Sequence, residues 1–252
     1  MKTAKRIANF IAALSLYALF FYYVKYKSLE SGTSYEPYIQ YRKVIFNGWV
    51  TTIAISVLAL LAALIVGLIL YWMSTSRFGI VRNLQEIHKM IVFGTPLVVI
   101  AIVAYYYIGN AFGVRSKFWV GVITLALYIG AYIADIYKGA VESIHINQWQ
   151  TAKMFGFTKF QTYRYVVFPQ VMISILPPLA GQFALTIKGS ALLSYMSTDE
   201  FLNTIKTVQA ASYEYSEGFV IVAAGYLLLT VPLILLVRYL EQKVNYKSGT
   251  NI

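Results

Sequence analysis

Residues 44–76, VIFNGWVTTIAISVLALLAALIVGLILYWMSTS, contain no charged side chain over 33 consecutive positions. A helix of about 20 apolar residues is long enough to cross the hydrocarbon core of a bilayer. Because backbone polar groups cannot remain unpaired in lipid, a segment that crosses must be helical. This stretch therefore predicts a transmembrane helix and indicates that the chain is a membrane protein.

Five other uncharged runs are close to membrane-spanning length, so we expect an all-α polytopic bundle of about six transmembrane helices. Pro177 and Pro178 interrupt one run and predict a kink or a discontinuous helix there. The first run follows a basic leader, but it exceeds the about 7–15 apolar residues of a signal peptide and lacks a small-residue cleavage site, which favours an uncleaved span. The five runs are residues 7–24, 90–114, 118–134, 165–187 and 218–237.

The composition of the whole chain agrees with this class. Of its 252 residues, 59% are hydrophobic and 12% are charged, against about 45–50% and about 25% in soluble domains. So few charges cannot cover a water-facing surface, which disfavours a soluble globular protein, and the same composition excludes a disordered chain. The absence of cysteine excludes disulfides, thiolate metal sites and cysteine nucleophiles.

The positions of the basic residues predict the orientation. With six crossings and both termini in the cytoplasm, inside segments hold 13 of the 21 Lys and Arg residues and outside segments hold 7, with Lys188 in a span. An excess of basic residues on the cytoplasmic side is typical of membrane proteins. The net charge of +11 is spread over span flanks rather than gathered in a patch, which argues against nucleic-acid binding.

The predicted cytoplasmic loop, residues 138–170, contains two helix-start patterns. Asn147 is followed three positions later by Gln150, and Thr158 by Gln161. Each pair is typical of a capping box, in which the two side chains bond to backbone amides of the first turn. The loop is therefore predicted to form two short helices on the cytoplasmic face.

Other residues of the loop refine this prediction. Gly156 suits the left-handed residue just beyond a helix end, and Pro169 should end the second helix or open the next span. Ala152 and Gly156, four apart, are expected to share one helix face. The apolar side chains of the loop either pack on the spans or headgroups of the same protein or form a docking surface for a soluble partner. They are Trp149, Met154, Phe155, Phe157 and Phe160.

The spacing within this loop carries a family resemblance. Residues 150–152 read Gln-Thr-Ala, Gly156 follows after three positions, and after nine more residues 166–169 read Val-Val-Phe-Pro. This resembles the EAA loop of binding-protein-dependent ABC transporter permeases: Glu-Ala-Ala, three residues, Gly, nine residues, Ile-x-Leu-Pro. Ala152, Gly156 and Pro169 match by identity, whereas position 150 lacks the acidic charge of the pattern.

Four further segments, in the order expected, resemble the polar amino acid subfamily of these permeases. Phe93 stands where its Arg-Gly-Thr-Pro-Leu motif begins with Arg, and Gly189 stands where its Lys-Asp-Thr-Ser-Leu motif has Asp. The resemblance covers about residues 47–240, which leaves 1–46 as an extra transmembrane helix with an extracytoplasmic segment and 241–252 as a cytoplasmic tail. The segments are residues 93–97, 131–143, 188–194, and 226–232 with 240–241.

The resemblance implies a fold, a function and partners. The fold would be that of type I ABC importer permeases (MetI-like), and the chain would form the translocation path of an ATP-dependent amino acid importer in the cell membrane. Its partners would be a separate ABC ATPase subunit, a second identical or homologous permease subunit and an extracytoplasmic solute-binding protein. The loop helix would sit in a groove of the ATPase and transmit its motion to the spans. The implied coupling residues are Gln150, Thr151, Ala152, Gly156, Phe157, Phe168 and Pro169.

No residue pattern indicates catalysis or a cofactor on this chain, so ATP is expected only on the partner ATPase. A phosphate-binding loop needs Gly-x-x-x-x-Gly-Lys-Ser/Thr, and Lys188-Gly189-Ser190 has the wrong order. His88 and His145 lack acidic or histidine neighbours at metal-ligand spacing, so we interpret both as ordinary loop residues.

Four residues are candidates for the translocation path. Lys188 either snorkels to the outer interface, pairs structurally, or meets a substrate carboxylate. Gln182 makes either an interhelical hydrogen bond or a ligand contact. Thr95 and Pro96 belong to the segment at 93–97 that resembles the subfamily motif.

Two further contacts are predicted near the ends of the spans. Asp135 is expected to pair with Lys138, one turn on. Outside, the apolar spacing over residues 201–208 predicts a short amphipathic helix with Thr198 as a possible cap, and by resemblance this helix would help to close the outer gate.

A stand-alone channel or secondary transporter is the alternative function. Such proteins often have internal repeats and paired charges within the membrane, and we find no repeat. A membrane-embedded enzyme is disfavoured because the spans lack clustered acidic, His or Cys residues.

Overall fold

A computed structural model describes residues 2–29 and 34–247 of the chain. All regular structure in these ranges is helical, which confirms the all-α prediction. Short segments of π or 3-10 helix follow α5, α8 and α9 without a break, at Val103–Gly109, Tyr163–Val167 and Ala191–Met196. The helices are α1 (Lys2–Leu29), α2 (Glu36–Gln40), α3 (Arg42–Ser74), α4 (Gly79–Gly94), α5 (Leu97–Ile102), α6 (Lys117–Glu142), α7 (Ile146–Met154), α8 (Lys159–Thr162), α9 (Phe168–Ser190), α10 (Phe201–Ser212) and α11 (Tyr215–Lys247).

Within the described ranges, 4 helical stretches are long and apolar enough to cross a membrane, or 5 if the bent pair of α4 and α5 forms one span. The run at 7–24 lies within α1, a helix of 28 residues, and its crossing remains a prediction. The number of spans in the structure agrees roughly with the six predicted from the sequence. α11 extends into the predicted cytoplasmic tail as far as Lys247. Residues 248–252 of that tail lie outside the described residues, and so do residues 30–33 of the predicted extracytoplasmic segment. The four stretches are Arg42–Ser74, Lys117–Glu142, Lys159–Met196 and Tyr215–Val237.

The run at 90–114 does not form one straight span. α4 starts well before this run and ends at Gly94, and α4 and α5 with its π extension meet at 112°. Pro96 lacks an amide and disfavours a helical conformation at the residue before it. Thr95 is accordingly extended, with φ −124° and ψ 131°. The corner between the two helices therefore has a local cause.

The helix through the loop and the fifth run is more continuous than predicted. α8 leads through a π-helical segment into α9, and α9 continues across Pro177 and Pro178, so the helix is not discontinuous there, and a kink stays a prediction. The amide of Phe168 donates to the carbonyl of Tyr163, five residues earlier. This wider π turn lies just before Pro169, where the lost amide would otherwise break the α-helical pattern. Pro169 therefore does not end a helix; it lies in the first turn of α9, in agreement with the prediction that it opens the next span.

The centre of the bundle is the contact between α3 and α6. A Cβ added to Gly67 would lie 2.6 Å from Ile133 Cγ2, and one added to Gly130 would lie 2.5 Å from Val66 Cγ1. Small residues allow helices to approach closely in membranes, where packing rather than the hydrophobic effect holds helices together. These two glycines bring the backbones of α3 and α6 together.

α10 lies near the start of α3 and confirms the predicted amphipathic helix. It buries Phe201, Ile205 and Val208 and packs against α3 and α11. The predicted cap was wrong: Glu200, not Thr198, accepts hydrogen bonds from the first-turn amides. Because the helix begins only at Phe201, Thr198 lies too far upstream to reach those amides.

Candidate functional site

The loop after α6 forms two short helices that meet at Gly156, as predicted. Gly156 has φ +74°, and its amide donates to the Lys153 carbonyl at 3.0 Å while the Phe157 amide donates to the Ala152 carbonyl at 3.0 Å. This pair of bonds is the Schellman motif. No atom lies within 4 Å of a Cβ placed on Gly156, so the left-handed backbone, not crowding, favours glycine there.

One of the two predicted capping boxes is present. The Thr158 hydroxyl accepts from the Gln161 amide at 3.2 Å, and the Gln161 side chain accepts from the Thr158 amide at 2.8 Å. The prediction for α7 was wrong, because that helix begins at Ile146 and its cap is His145, whose Nδ1 accepts from the Asn147 amide at 3.2 Å. Asn147 lies inside the first turn, too late to cap it.

Both histidines differ from the prediction of ordinary loop residues. His145 caps α7. His88 lies within α4, and its Nε2 is 3.2 Å from the Leu127 carbonyl of α6. In the described part of the chain, no group of three or more His, Cys, Asp or Glu residues could hold a metal ion.

The large apolar side chains of the loop lie on its outside. Met154 is 87% exposed, Phe155 78% and Phe160 77%, and Phe157 is also exposed. Packing against the protein's own spans is therefore wrong for these four, which we call the loop apolar surface. Trp149 differs, because its ring contacts that of Tyr163 at 5.3 Å. Exposed apolar clusters of this kind mark sites that contact a partner or a membrane.

The predicted coupling residues do not form one continuous face. Ala152 is buried against its own chain, and Gly156 lies beyond the end of α7. The expectation that the two share a helix face was therefore wrong, because the helix ends before its next turn. Gln150, Thr151 and Phe157 are exposed on the loop, whereas Phe168 and Pro169 are exposed at the start of α9.

Among the path candidates, Gln182 and Lys188 lie on α9. Lys188 is exposed and has no ion-pair partner in the described part of the chain. The side-chain oxygen of Gln182 is buried without a hydrogen-bond partner, so the expected interhelical bond to it is not formed. Six positions along a helix turn it by about 240°, so these two side chains leave α9 in different directions.

Thr95 and Pro96 occupy the corner between α4 and α5. Thr95 also lines a cavity of about 270 Å³ between α4, α5 and α6. Neither Gln182 nor Lys188 lines that cavity. The structure of this chain therefore does not bring the four path candidates into one site.

An ion pair that sequence reasoning missed joins α4 to α6. Asp135 pairs with Lys89, and Lys138 instead lies 3.9 Å from Glu142. The predicted pairing within α6 was wrong because α4 packs beside α6 and supplies a nearer cation. The signal was present in the sequence: Arg82, Gln85 and Lys89 recur at helical spacing and place polar groups on one face of α4.

The sequence of the chain also matches the model of a known protein family. Residues 59–246 match the model of the family described as "Binding-protein-dependent transport system inner membrane component". The chain belongs to this family, and it is a membrane permease subunit of an ABC importer. This confirms the resemblance and replaces the alternative of a stand-alone channel or secondary transporter. α1 and α2 lie outside the match.

The relatives include named permeases. The glutamine transport system permease protein GlnP of Escherichia coli K12 is 30% identical over 203 residues, which cover 80% of this chain and 93% of the relative. The probable glutamine ABC transporter permease protein GlnM of Bacillus subtilis 168 is 28% identical over 199 residues, covering 79% and 92%.

Solved structures have the same fold. An amino acid ABC transporter crystallised with histidines matches with a TM-score of 0.77 at 26% identity, covering 83% of this chain and 98% of that one. The MetNI methionine ABC transporter, in an inward-facing form, matches with a TM-score of 0.64 at 14% identity, covering 81% and 96%. The second likeness supports the fold alone. The MetI-like bundle predicted from the sequence is thus confirmed.

Proposed function

We propose that this permease forms the translocation path of an amino acid importer and that its loop apolar surface docks onto a separate ATPase subunit. The observation that carries the proposal is a short, well-capped helix pair whose Met154, Phe155 and Phe160 are exposed. The relatives named as glutamine permeases and the neighbour crystallised with histidines support amino acids as the substrate class.

The continuity of the helix beyond the loop suggests how motion would be transmitted. The stretch Lys159–Met196 is helical over 38 residues and leads through the left-handed Ser197 towards α10. A continuous helix moves as a unit more readily than a loop does, because its backbone bonds link every turn to the next. A displacement at α8 would therefore reach the elements at the opposite end of the bundle.

The complete transporter would contain further chains. ATP would bind and be hydrolysed on the partner ATPase, with no cofactor on this chain. A second identical or homologous permease subunit would complete the path, and a solute-binding protein outside would deliver the substrate. Both termini would lie in the cytoplasm, in agreement with the 13 to 7 distribution of basic residues.

Within the path, Gln182 is the most informative candidate. Its side-chain oxygen lacks a partner, and so does the buried Ser56 hydroxyl on α3. A buried polar group without a partner is costly, and a substrate ammonium or amide would supply one. Lys188, Thr95 and Pro96 remain further candidates for contact with the substrate.

The docking surface is tested with Phe155→Ser and a matched control, Phe112→Ser. Phe112 is 80% exposed but lies beyond α5, on the outer side in the proposed orientation. After co-expression with the ATPase of the same transporter, we expect Phe155→Ser to weaken ATPase binding about thirtyfold, since loss of an interface aromatic often costs about 2 kcal/mol. Phe112→Ser should have no effect.

Binding is measured by affinity purification and by titration of the ATPase onto the permease in nanodiscs. Equal ATPase binding by both variants and the wild type would contradict docking at this surface. Substrate-stimulated ATP hydrolysis, measured on the same samples, should fall in parallel with binding.

A further inference from the structure

A polar pocket of about 500 Å³ lies where α4 packs beside the ends of α3 and α6. Arg82, Lys89 and Lys138 line it together with Glu86 and Asp135, which leaves one basic group in excess. Lys89 pairs with Asp135, and Arg82 has no ion-pair partner among the residues that the structure describes. Arg82 is therefore the cation of this pocket without an ion-pair partner among the described residues, and Glu86, one turn along α4, lacks one as well.

Gln85 supplies a second feature of a binding site. It lines the same pocket and is only 4% exposed, so the packing of α4 holds its side chain at the pocket. An anionic ligand with several oxygens would accept from the Gln85 amide and from Arg82 together.

The other face of α4 indicates where the pocket lies relative to lipid. Ile80, Leu84, Ile87 and Ile91 are all exposed and recur at positions i, i+4, i+7 and i+11, which places them along one stripe. A helix that turns its charges towards the protein and its apolar stripe outwards is arranged for contact with lipid. Met90, which is exposed and lines the pocket, lies between the pocket and this stripe.

We propose that this pocket binds the phosphate group of an anionic phospholipid, whose acyl chains lie along the apolar stripe of α4. Basic pockets between transmembrane helices on the cytoplasmic side are suited to such headgroups. The planar fork of Arg82 would bind two phosphate oxygens, and the Gln85 amide would donate to another. Only the assignment to the cytoplasmic leaflet rests on the proposed orientation; the site itself is independent of ATPase docking.

The test is native mass spectrometry of the full chain in detergent, titrated with phosphatidylglycerol and with phosphatidylcholine of the same acyl chains. We expect phosphatidylglycerol to bind at least about tenfold more tightly, a difference of about 1.4 kcal/mol. Arg82→Gln should remove this preference. Arg77→Gln is the matched control, because Arg77 is exposed at the same end of the bundle but does not line the pocket. The preference of Arg77→Gln for phosphatidylglycerol over phosphatidylcholine should stay within about twofold of that of the wild type, far below a tenfold change.

A second variant, Gln85→Leu, should reduce phosphatidylglycerol binding while leaving the melting temperature near that of the wild type, because it removes only the donor. Equal binding of the two lipids, or equal effects of Arg82→Gln and Arg77→Gln, would overturn the proposal. So would displacement of phosphatidylglycerol by inorganic phosphate, because the site would then belong to a free anion. Failure of the Phe155 experiment, with ATPase binding unchanged, would leave this result unaffected.

Discussion

At the scale of single residues, Glu200 illustrates how a buried charge can be retained for a structural purpose. Its carboxylate is fully buried and accepts hydrogen bonds from the Leu202 and Asn203 amides at 2.9 and 2.7 Å and from the Tyr226 hydroxyl at 2.9 Å. It thereby joins the start of α10 to α11. Burial nevertheless dominates and raises the pKa of Glu200 to about 7.

This raised pKa predicts a pH dependence of stability. Between about 4.5, the ordinary pKa of the carboxyl, and about 7, the folded protein keeps a proton that the unfolded chain has lost. The free energy of unfolding should therefore fall as the pH rises through this interval and level off above it. Thermal unfolding in detergent, followed from pH 4.5 to 8, measures the effect.

The control is Glu200→Gln, which keeps the shape and one acceptor but cannot titrate. Its unfolding should lack this component of the pH dependence. A variant whose pH profile coincides with that of the wild type would show that another group is responsible.

At the scale of helices, the close contact of α3 and α6 depends on glycines that face a neighbour. A Cβ on Gly130 would approach Val66 Cβ at 2.9 Å as well as its Cγ1, whereas nothing lies within 4 Å of a Cβ on Gly139 of the same helix. Valine is stiff about χ1 and cannot move its methyl group aside easily. Gly130 and Gly139 of α6 therefore form a matched pair for substitution.

We expect Gly130→Ala to destabilise the bundle by about 1–3 kcal/mol, because overpacking forces the helices apart. Gly139→Ala should be neutral or stabilising by up to about 1 kcal/mol, since alanine favours the helix. Melting temperatures of the purified variants distinguish the two effects. If both substitutions shifted the melting temperature in the same direction by the same amount, the close packing of α3 on α6 would not be the cause.

At the scale of the whole molecule, α1 stands apart from the bundle. Its described side chains are all exposed, and the family match begins only at residue 59. In contrast, α2 is anchored, because Tyr38 is buried and its hydroxyl donates to the Glu214 carbonyl before α11. The permease body therefore extends from α2 to α11.

Deletion of residues 2–33 should leave the melting temperature and ATPase binding of the permease close to those of the full chain, because the described side chains of α1 are exposed. Deletion of residues 2–41 is the control: it removes Tyr38 and should lower the melting temperature. Size-exclusion chromatography with fluorescence detection at increasing temperature measures both. A large fall in the melting temperature of the variant that lacks residues 2–33 would show that α1 belongs to the permease body.

The sequence by itself determined several features whose cause is local, although the corner at Thr95 and Pro96 and the caps of α7 and α10, which are local as well, were not predicted. The uncharged runs indicated the membrane and the spans, since about 20 apolar residues suffice for a crossing. The left-handed Gly156 and the capping box of Thr158 with Gln161 were predictable because their bonds join residues a few positions apart. The family motifs then indicated the class of transporter.

Only the tertiary structure decided which side chains meet across helices and which way each helix faces. Lys89 pairs with Asp135 of another helix, and Ala152 turns towards its own chain, because packing selects among the faces that a periodic pattern leaves open. The same holds for Gln85 and Glu200, whose burial depends on neighbours far away in the chain. Local sequence sets backbone conformation, whereas the competition among many long-range contacts sets the environment of each side chain.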